Sequence, residues 1–168
     1  MNEGSREIRS TGEVWLPVDP AAKPGDASVV FIGRVRSPWS ATTPPPKNPG
    51  EARERGAKAS IEVFEPYRAA LEGLQRFSHV IVLAWLHGAS RRPLVIRPPH
   101  RSEPLGVFAL RSPVRPNPIG LSVCRLISLD CYHGLIEVDA IDFLDGTPVL
   151  DLKPYRPGID AVPDAIVG

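Results

Sequence analysis

The apolar positions of this chain fall in short blocks, punctuated by proline, glycine and charge. Ser28 to Arg36 (SVVFIGRVR) is rich in β-branched residues and predicts a first strand. Ala59 to Glu65 (ASIEVFE) alternates and predicts a second. Val80 to Leu86 (VIVLAWL) is uninterrupted and too short for a helix, which predicts a central strand buried on both faces. Leu105 to Leu110 predicts another strand. Leu121 to Leu129 alternates, with Leu121, Val123, Arg125 and Ile127 on one face, and Gly134 to Leu144 alternates again. Asp145-Gly146 is a turn signal before a last short strand, Pro148 to Leu152. After Pro66, Ala70, Leu71 and Leu74 share the face of one short helix. Short strands at a spacing of about ten residues predict an all-β barrel or sandwich.

The segments between these blocks differ in kind. Residues 1–27 hold no sustained period and carry Pro17, Pro20, Pro24 and Gly25, so they predict an extended arm or peripheral elaboration ahead of a domain at 28–168. Residues 37–50 carry Pro38, Pro44, Pro45, Pro46 and Pro49, which predicts a long loop without regular structure. Arg91 to Pro104 is a basic, proline-rich connection.

Composition sharpens this picture. The chain has 168 residues, enough for one ordinary domain, and 20 of them are proline. That is well above the usual ~5% and argues against a helical bundle. No apolar run approaches the ~20 residues of a membrane span, and the first residues, MNEGSREIRS, lack the apolar centre of a secretory signal. Two cysteines, Cys124 and Cys131, read as small hydrophobes or surface thiols. A cytoplasmic protein is expected.

The net charge of +1 hides an asymmetry. Trp85 to Leu126 holds seven arginines and one acid, Glu103; Ile127 to Gly168 holds eight acids and two bases. An anionic partner explains the basic middle, and so does neutralisation of one segment by the other within the fold. Both stay open.

Several chemistries are excluded by spelling. No G-x-G, G-K-[ST], G-x-S-x-G or C-x-x-C occurs, and His79, His87, His100 and His133 lie too far apart for a zinc pattern. No metal is expected. What remains is Arg111-Ser-Pro-Val-Arg-Pro-Asn-Pro-Ile-Gly120, where three prolines hold Ser112, Arg115 and Asn117 extended. Such a stiffened loop with two guanidinium groups can grip a carboxylate or phosphate, or can simply be a rigid connection. A second candidate is Ile141-Asp-Phe-Leu-Asp-Gly-Thr-Pro148, either a plain hairpin turn or a bend offering Asp142 and Asp145 to a ligand. His87 closes the apolar strand, where a lone histidine is ordinarily a core residue.

The runs GVFALRSPVRPNPIGLSV, DGTPVLDLKPY and LEGLQRFSHVIVLAWLH resemble the TsaA-like family, also called TrmO, with VirR-type relatives. The resemblance spans roughly Val29 to Tyr155. It implies a mainly β fold, a small closed or partly open β-barrel of six to seven short strands with one short helix. It also implies a homodimer that binds S-adenosylmethionine and methylates threonylcarbamoyladenosine beside the anticodon of tRNA. The family's cofactor contacts map onto Pro46, Lys47 and Asn48, onto His87 and Gly88, onto Arg111 and Leu121, and onto Asp142, Phe143, Leu144, Asp145, Gly146, Thr147 and Pro148.

Methyl transfer to a nitrogen whose lone pair is delocalised calls for a base. Asp142, Asp145 and Tyr155 are the candidates, with His87 a further one. Arg111 and Arg115 are expected to hold the threonyl carboxylate or an RNA phosphate, while Arg91, Arg92, Arg97 and Arg101 track the RNA backbone. Longer bacterial members carry a further C-terminal domain, and here thirteen residues follow Tyr155. Anchoring of RNA is therefore expected from the arm, the basic loop or the partner subunit. Competing readings are a methyltransferase for another small acceptor, a module that binds or senses S-adenosylmethionine without transfer, and a nucleic-acid binder with no cofactor.

Overall fold

The structure is a computed structural model and describes residues 7–8, 12–99 and 101–166. His100 lies outside the described residues, as does most of the first stretch of the predicted arm. The chain divides into two compact units, one of residues 1–29 and 85–120, the other of residues 30–84 and 121–168.

In the first unit four short strands pair in the order β1 (Glu7–Ile8), β2 (Val14–Trp15), β6 (Pro93–Ile96), β7 (Leu105–Gly106). Two of them come from the segment read as an extended arm or peripheral elaboration, and β6 lies inside the segment read as a connection. Strands of two to four residues leave no period to detect, so only pairing defines them. The strand expected over Leu105 to Leu110 stops at Gly106 and continues as a 3-10 turn, Val107–Ala109.

In the second unit six strands close into a ring in the order β10 (Pro148–Pro154), β3 (Gly33–Arg36), β4 (Ala59–Val63), β9 (Leu135–Val138), β8 (Ile119–Asp130), β5 (His79–Trp85). The mainly β reading holds. Alternation explains the ring: Val35, Ile61, Val80, Val82, Ile136 and Val149 are fully buried. Each such aliphatic side chain contributes roughly 1.5–3 kcal/mol by leaving water. On β8 the inward positions are Ser122 and Cys124, so Leu121 and Ile127 face outward at 42% and 44% exposure. Burial pushes the Cys124 thiol up to about 12, whereas Cys131 is exposed.

Several boundaries move for physical reasons. The first strand begins at Gly33 rather than Ser28, because Val29 and Val30 find no partner and stay exposed. β5 is buried on alternate residues only, since a ring has one interior face. The helix expected after Pro66 is two 3-10 turns, Tyr67–Leu71 and Leu74–Arg76, with Leu71 alone buried. The proline-dense loop does hold a helix, α1 (Pro49–Glu54), because Asn48 accepts from the Glu51 N–H at 3.0 Å and Pro49 occupies the first turn. A final turn, α2 (Pro157–Asp160), follows β10. Among the described residues no helix is long and apolar enough to cross a membrane.

Candidate functional site

Between β9 and β10 the chain runs from Asp139 to Thr147 without regular structure, so its backbone groups need other partners. β3 and the residues just after it supply them. The Trp39 indole N–H donates to Ile141 O at 2.7 Å, and the Ser37 hydroxyl donates to Phe143 O at 2.7 Å. Two backbone bonds run the other way: Asp145 N–H to Trp39 O at 2.8 Å and Gly146 N–H to Val35 O at 2.9 Å. Thr147 closes the turn, its hydroxyl donating to Leu144 O at 2.8 Å. Gly146 sits at φ +75°, the left-handed region that glycine enters without strain.

This clamp sets which side chains can meet a ligand. Ile141, Phe143 and Thr147 are buried and anchor the bend. Leu144 and Asp145 are exposed, and Asp142 and Pro148 are half-buried. Asp145 accepts from the Ser37 N–H at 3.2 Å and lies 3.8 Å from the Arg36 guanidinium. Tyr155 is elsewhere. It follows the far end of β10, its N–H bonded to His79 O and its ring at 6.3 Å from the His79 ring. The structure thus groups Asp142 with Asp145 and sets Tyr155 apart by the length of a strand.

The Pro46-Lys47-Asn48 segment opens α1. Pro46 is buried, while Lys47 and Asn48 are exposed. Asn48 caps the helix, and Glu51 reaches back to accept from the Lys47 N–H at 2.9 Å. That backbone bond, together with the Arg55 guanidinium, holds the Glu51 carboxyl below its ordinary range. Arg53 fixes the other side of α1, donating to Asp139 at 2.6 Å and to Val123 O at 3.0 Å.

In the first unit His87 and Gly88 are exposed on a tight turn closed by Ala89 N–H to Leu86 O at 2.9 Å. His87 is no core residue. The arginine-bearing loop is braced from within: Arg115 Nη2 donates to Val107 O at 2.8 Å and to Leu110 O at 2.6 Å. Arg91 donates to Pro116 O at 2.6 Å and lies 5.3 Å over the Trp85 ring, and Arg92 donates to Leu16 O at 2.9 Å. Each of these guanidinium groups keeps its charge, with part of its donor set committed to backbone carbonyls. Arg111 is exposed.

Sequence reasoning passed over Ser37 and Trp39. The signal was present: a buried tryptophan needs an acceptor for its N–H, and S-P-W directly follows a strand.

The architecture is a mainly β ring carrying a clamped, aspartate-bearing bend between β9 and β10. The sequence matches the tRNA-methyltransferase O N-terminal domain family over residues 34–161, and the chain belongs to that family. It is 39% identical over 132 residues to a probable S-adenosyl-L-methionine-binding protein, VirR, of Rhizobium radiobacter, covering 79% of this chain and 73% of that one. It is 38% identical over 143 residues to the tRNA (adenine(37)-N6)-methyltransferase of Escherichia coli, covering 80% of this chain and 60% of the other. The crystal structure of TrmO from Pseudomonas aeruginosa is similar with a TM-score of 0.69 and 42% identity, over 86% of this chain and 62% of that one. The chain thus spans less than two thirds of the solved relative's length.

Proposed function

We propose that this protein is an S-adenosylmethionine-dependent methyltransferase that acts on N6 of a threonylcarbamoylated adenosine beside the anticodon of tRNA. The observation that carries the reading is the clamped bend Ile141–Thr147, in a chain of this family, which sets half-buried Asp142 and exposed Asp145 on rigid backbone. Its donor set suits the cofactor. Asp142 and Asp145 match ribose hydroxyls or a positive sulfonium, and Leu121 and Leu144, both 42% exposed, offer apolar surface to an adenine.

When bound, S-adenosylmethionine supplies an electrophilic methyl group on a sulfonium. The chain's residues then have two tasks. One is orientation: a rigid bend fixes the approach, and alignment alone can supply ~7–11 kcal/mol of the barrier. The other is proton removal from N6, assigned to Asp142 or Asp145. Pro46, Lys47, Asn48, His87, Gly88 and Arg111 are further cofactor contacts carried over from the family resemblance. Arg115 keeps the shape of its loop, and Arg111 serves either the cofactor or the acceptor's carboxylate or phosphate. The protein acts as a cytoplasmic homodimer.

The test uses labelled S-adenosylmethionine and total tRNA from cells lacking the protein. Label is expected in N6-methyl-threonylcarbamoyladenosine, identified by mass spectrometry. Calorimetric binding of the cofactor with no label in any RNA would replace the enzyme by a binding module, and no binding at all would end the reading. Asp142→Asn and Arg111→Ala sort the roles: loss of transfer with cofactor binding retained assigns the residue to the acceptor or the base, and loss of both assigns it to the cofactor. Light scattering checks the dimer.

A further inference from the structure

The two cofactor-contact segments of the second unit lie far apart in sequence, yet one side chain touches the supports of both. Trp39 is 4% exposed and packs with Ala52 of α1 and Ala140 ahead of the bend. Its N–H holds Ile141, which is 102 positions away in sequence, and its own carbonyl holds Asp145. The Arg55 guanidinium covers the indole at 5.5 Å from the ring centroid. Arg55 also pairs with Glu51, whose carboxylate accepts from the Lys47 N–H at 2.9 Å. An unbroken series of contacts therefore runs from the bend through the indole to Lys47 and Asn48.

Each link has a physical reason to be specific. Indole N–H is a donor with no acceptor capacity, and the Ile141 carbonyl has no strand partner, so the pair satisfy each other. The aromatic face is the only part of a buried indole left to receive a cation. Phenylalanine keeps an aromatic ring but strands the Ile141 carbonyl, and its smaller size loosens both the packing on Ala52 and the seat of the Arg55 guanidinium.

We propose that Trp39 is the positioning residue that holds residues 46–48 and 141–147 in one fixed arrangement for the cofactor. The role rests on the reading given above for the bend. Trp39 touches neither methyl nor acceptor; it acts through the two segments.

The test compares Trp39→Phe with Val80→Ala, a core substitution opposite Pro154 at the far end of β10. Trp39→Phe is expected to weaken S-adenosylmethionine binding by about tenfold, the consequence of a lost buried hydrogen bond and a looser aromatic seat. The cofactor KM should rise in step while kcat at saturating cofactor stays within about twofold. Val80→Ala should lower the urea midpoint and leave the Kd unchanged. Without any ligand, amide hydrogen exchange in Trp39→Phe should quicken at Lys47 and at both Asp145 and Gly146. Arg55→Met, which keeps the aliphatic stem, provides a milder variant if Trp39→Phe folds poorly; about threefold weaker binding and faster exchange at Lys47 are expected.

Faster exchange in one segment only, or a Trp39→Phe affinity equal to wild type, would overturn the role. So would a Kd that rises equally in Val80→Ala, because stability alone would then explain it. Wild-type protein that binds no S-adenosylmethionine overturns the proposed function itself, which is a different result from wild-type binding that Trp39→Phe leaves intact.

Discussion

The bend Ile141–Thr147 and the loop Arg111–Pro118 are both irregular, and both are stiff for different reasons. The loop is stiffened by near neighbours: three prolines, and Arg115 reaching carbonyls only five and eight positions away. The bend is held by side chains 102 and 106 positions away, the Trp39 indole and the Ser37 hydroxyl. Local restraint survives in the unfolded chain, since proline limits φ there too. Restraint across the ring exists only once β3 and β10 have paired. The bend should therefore be the segment more sensitive to single core substitutions, and the loop the more self-sufficient.

The largest expected effect breaks the bend's side of this contrast. Trp39→Ala removes a buried aromatic and the Ile141 partner together, and should lower stability by about 3–5 kcal/mol in urea unfolding. Arg115→Ala should cost less, about 1–3 kcal/mol, by leaving the Val107 and Leu110 carbonyls without their donor. Arg115→Lys should not restore the loss, because an ammonium cannot reproduce the planar fork. Ser37→Ala removes one hydrogen bond to Phe143 O and should cost about 1 kcal/mol. If Arg115→Ala proves as damaging to global stability as Trp39→Ala, the loop is not self-sufficient and the contrast fails.

A smaller effect concerns acid. The Arg34 guanidinium, donating to Glu62 at 2.8 and 2.9 Å, holds that carboxyl below its ordinary 4.5, and Arg36 adds to the effect. A folded value below the unfolded one means that the native state binds fewer protons in this window. The contribution is complete above about pH 4.5 and is lost as pH falls through the folded value. Glu62→Gln should flatten the acid side of the stability curve while leaving its shape at neutral pH alone, measured by urea midpoints from pH 7 to pH 3. Since Arg36 also approaches Asp145, the acid limb reports on the strand that carries the clamp. The smallest test is chemical: at pH 8 a thiol reagent should modify exposed Cys131 quickly, whereas Cys124, pushed up to about 12, should react only on unfolding.

Much of the ring is legible in the sequence. β4, β8 and the core of β5 follow from alternation and β-branching, and the Asp145-Gly146 turn from its dipeptide. These features report on their own neighbours in the chain. The candidate site was marked in sequence by the longer runs R-S-P-V-R-P-N-P-I-G and D-G-T-P-V-L-D-L-K-P-Y.

Other features waited for the fold. The two-residue strands of the first unit have no period, so their pairing is invisible in sequence. Ser28 to Ile32 reads as strand from composition, yet regular pairing begins at Gly33, because a strand needs a partner as well as propensity. Tyr155 sits seven positions beyond Pro148 in sequence, which says nothing of distance until β10 is known to run straight between them. Above all, sequence named Asp142 and Asp145 but could not say what holds them still. Local covalent restraint is written in neighbouring residues; a hydrogen bond between positions 39 and 141 exists only when the chain closes its loop and removes both partners from water.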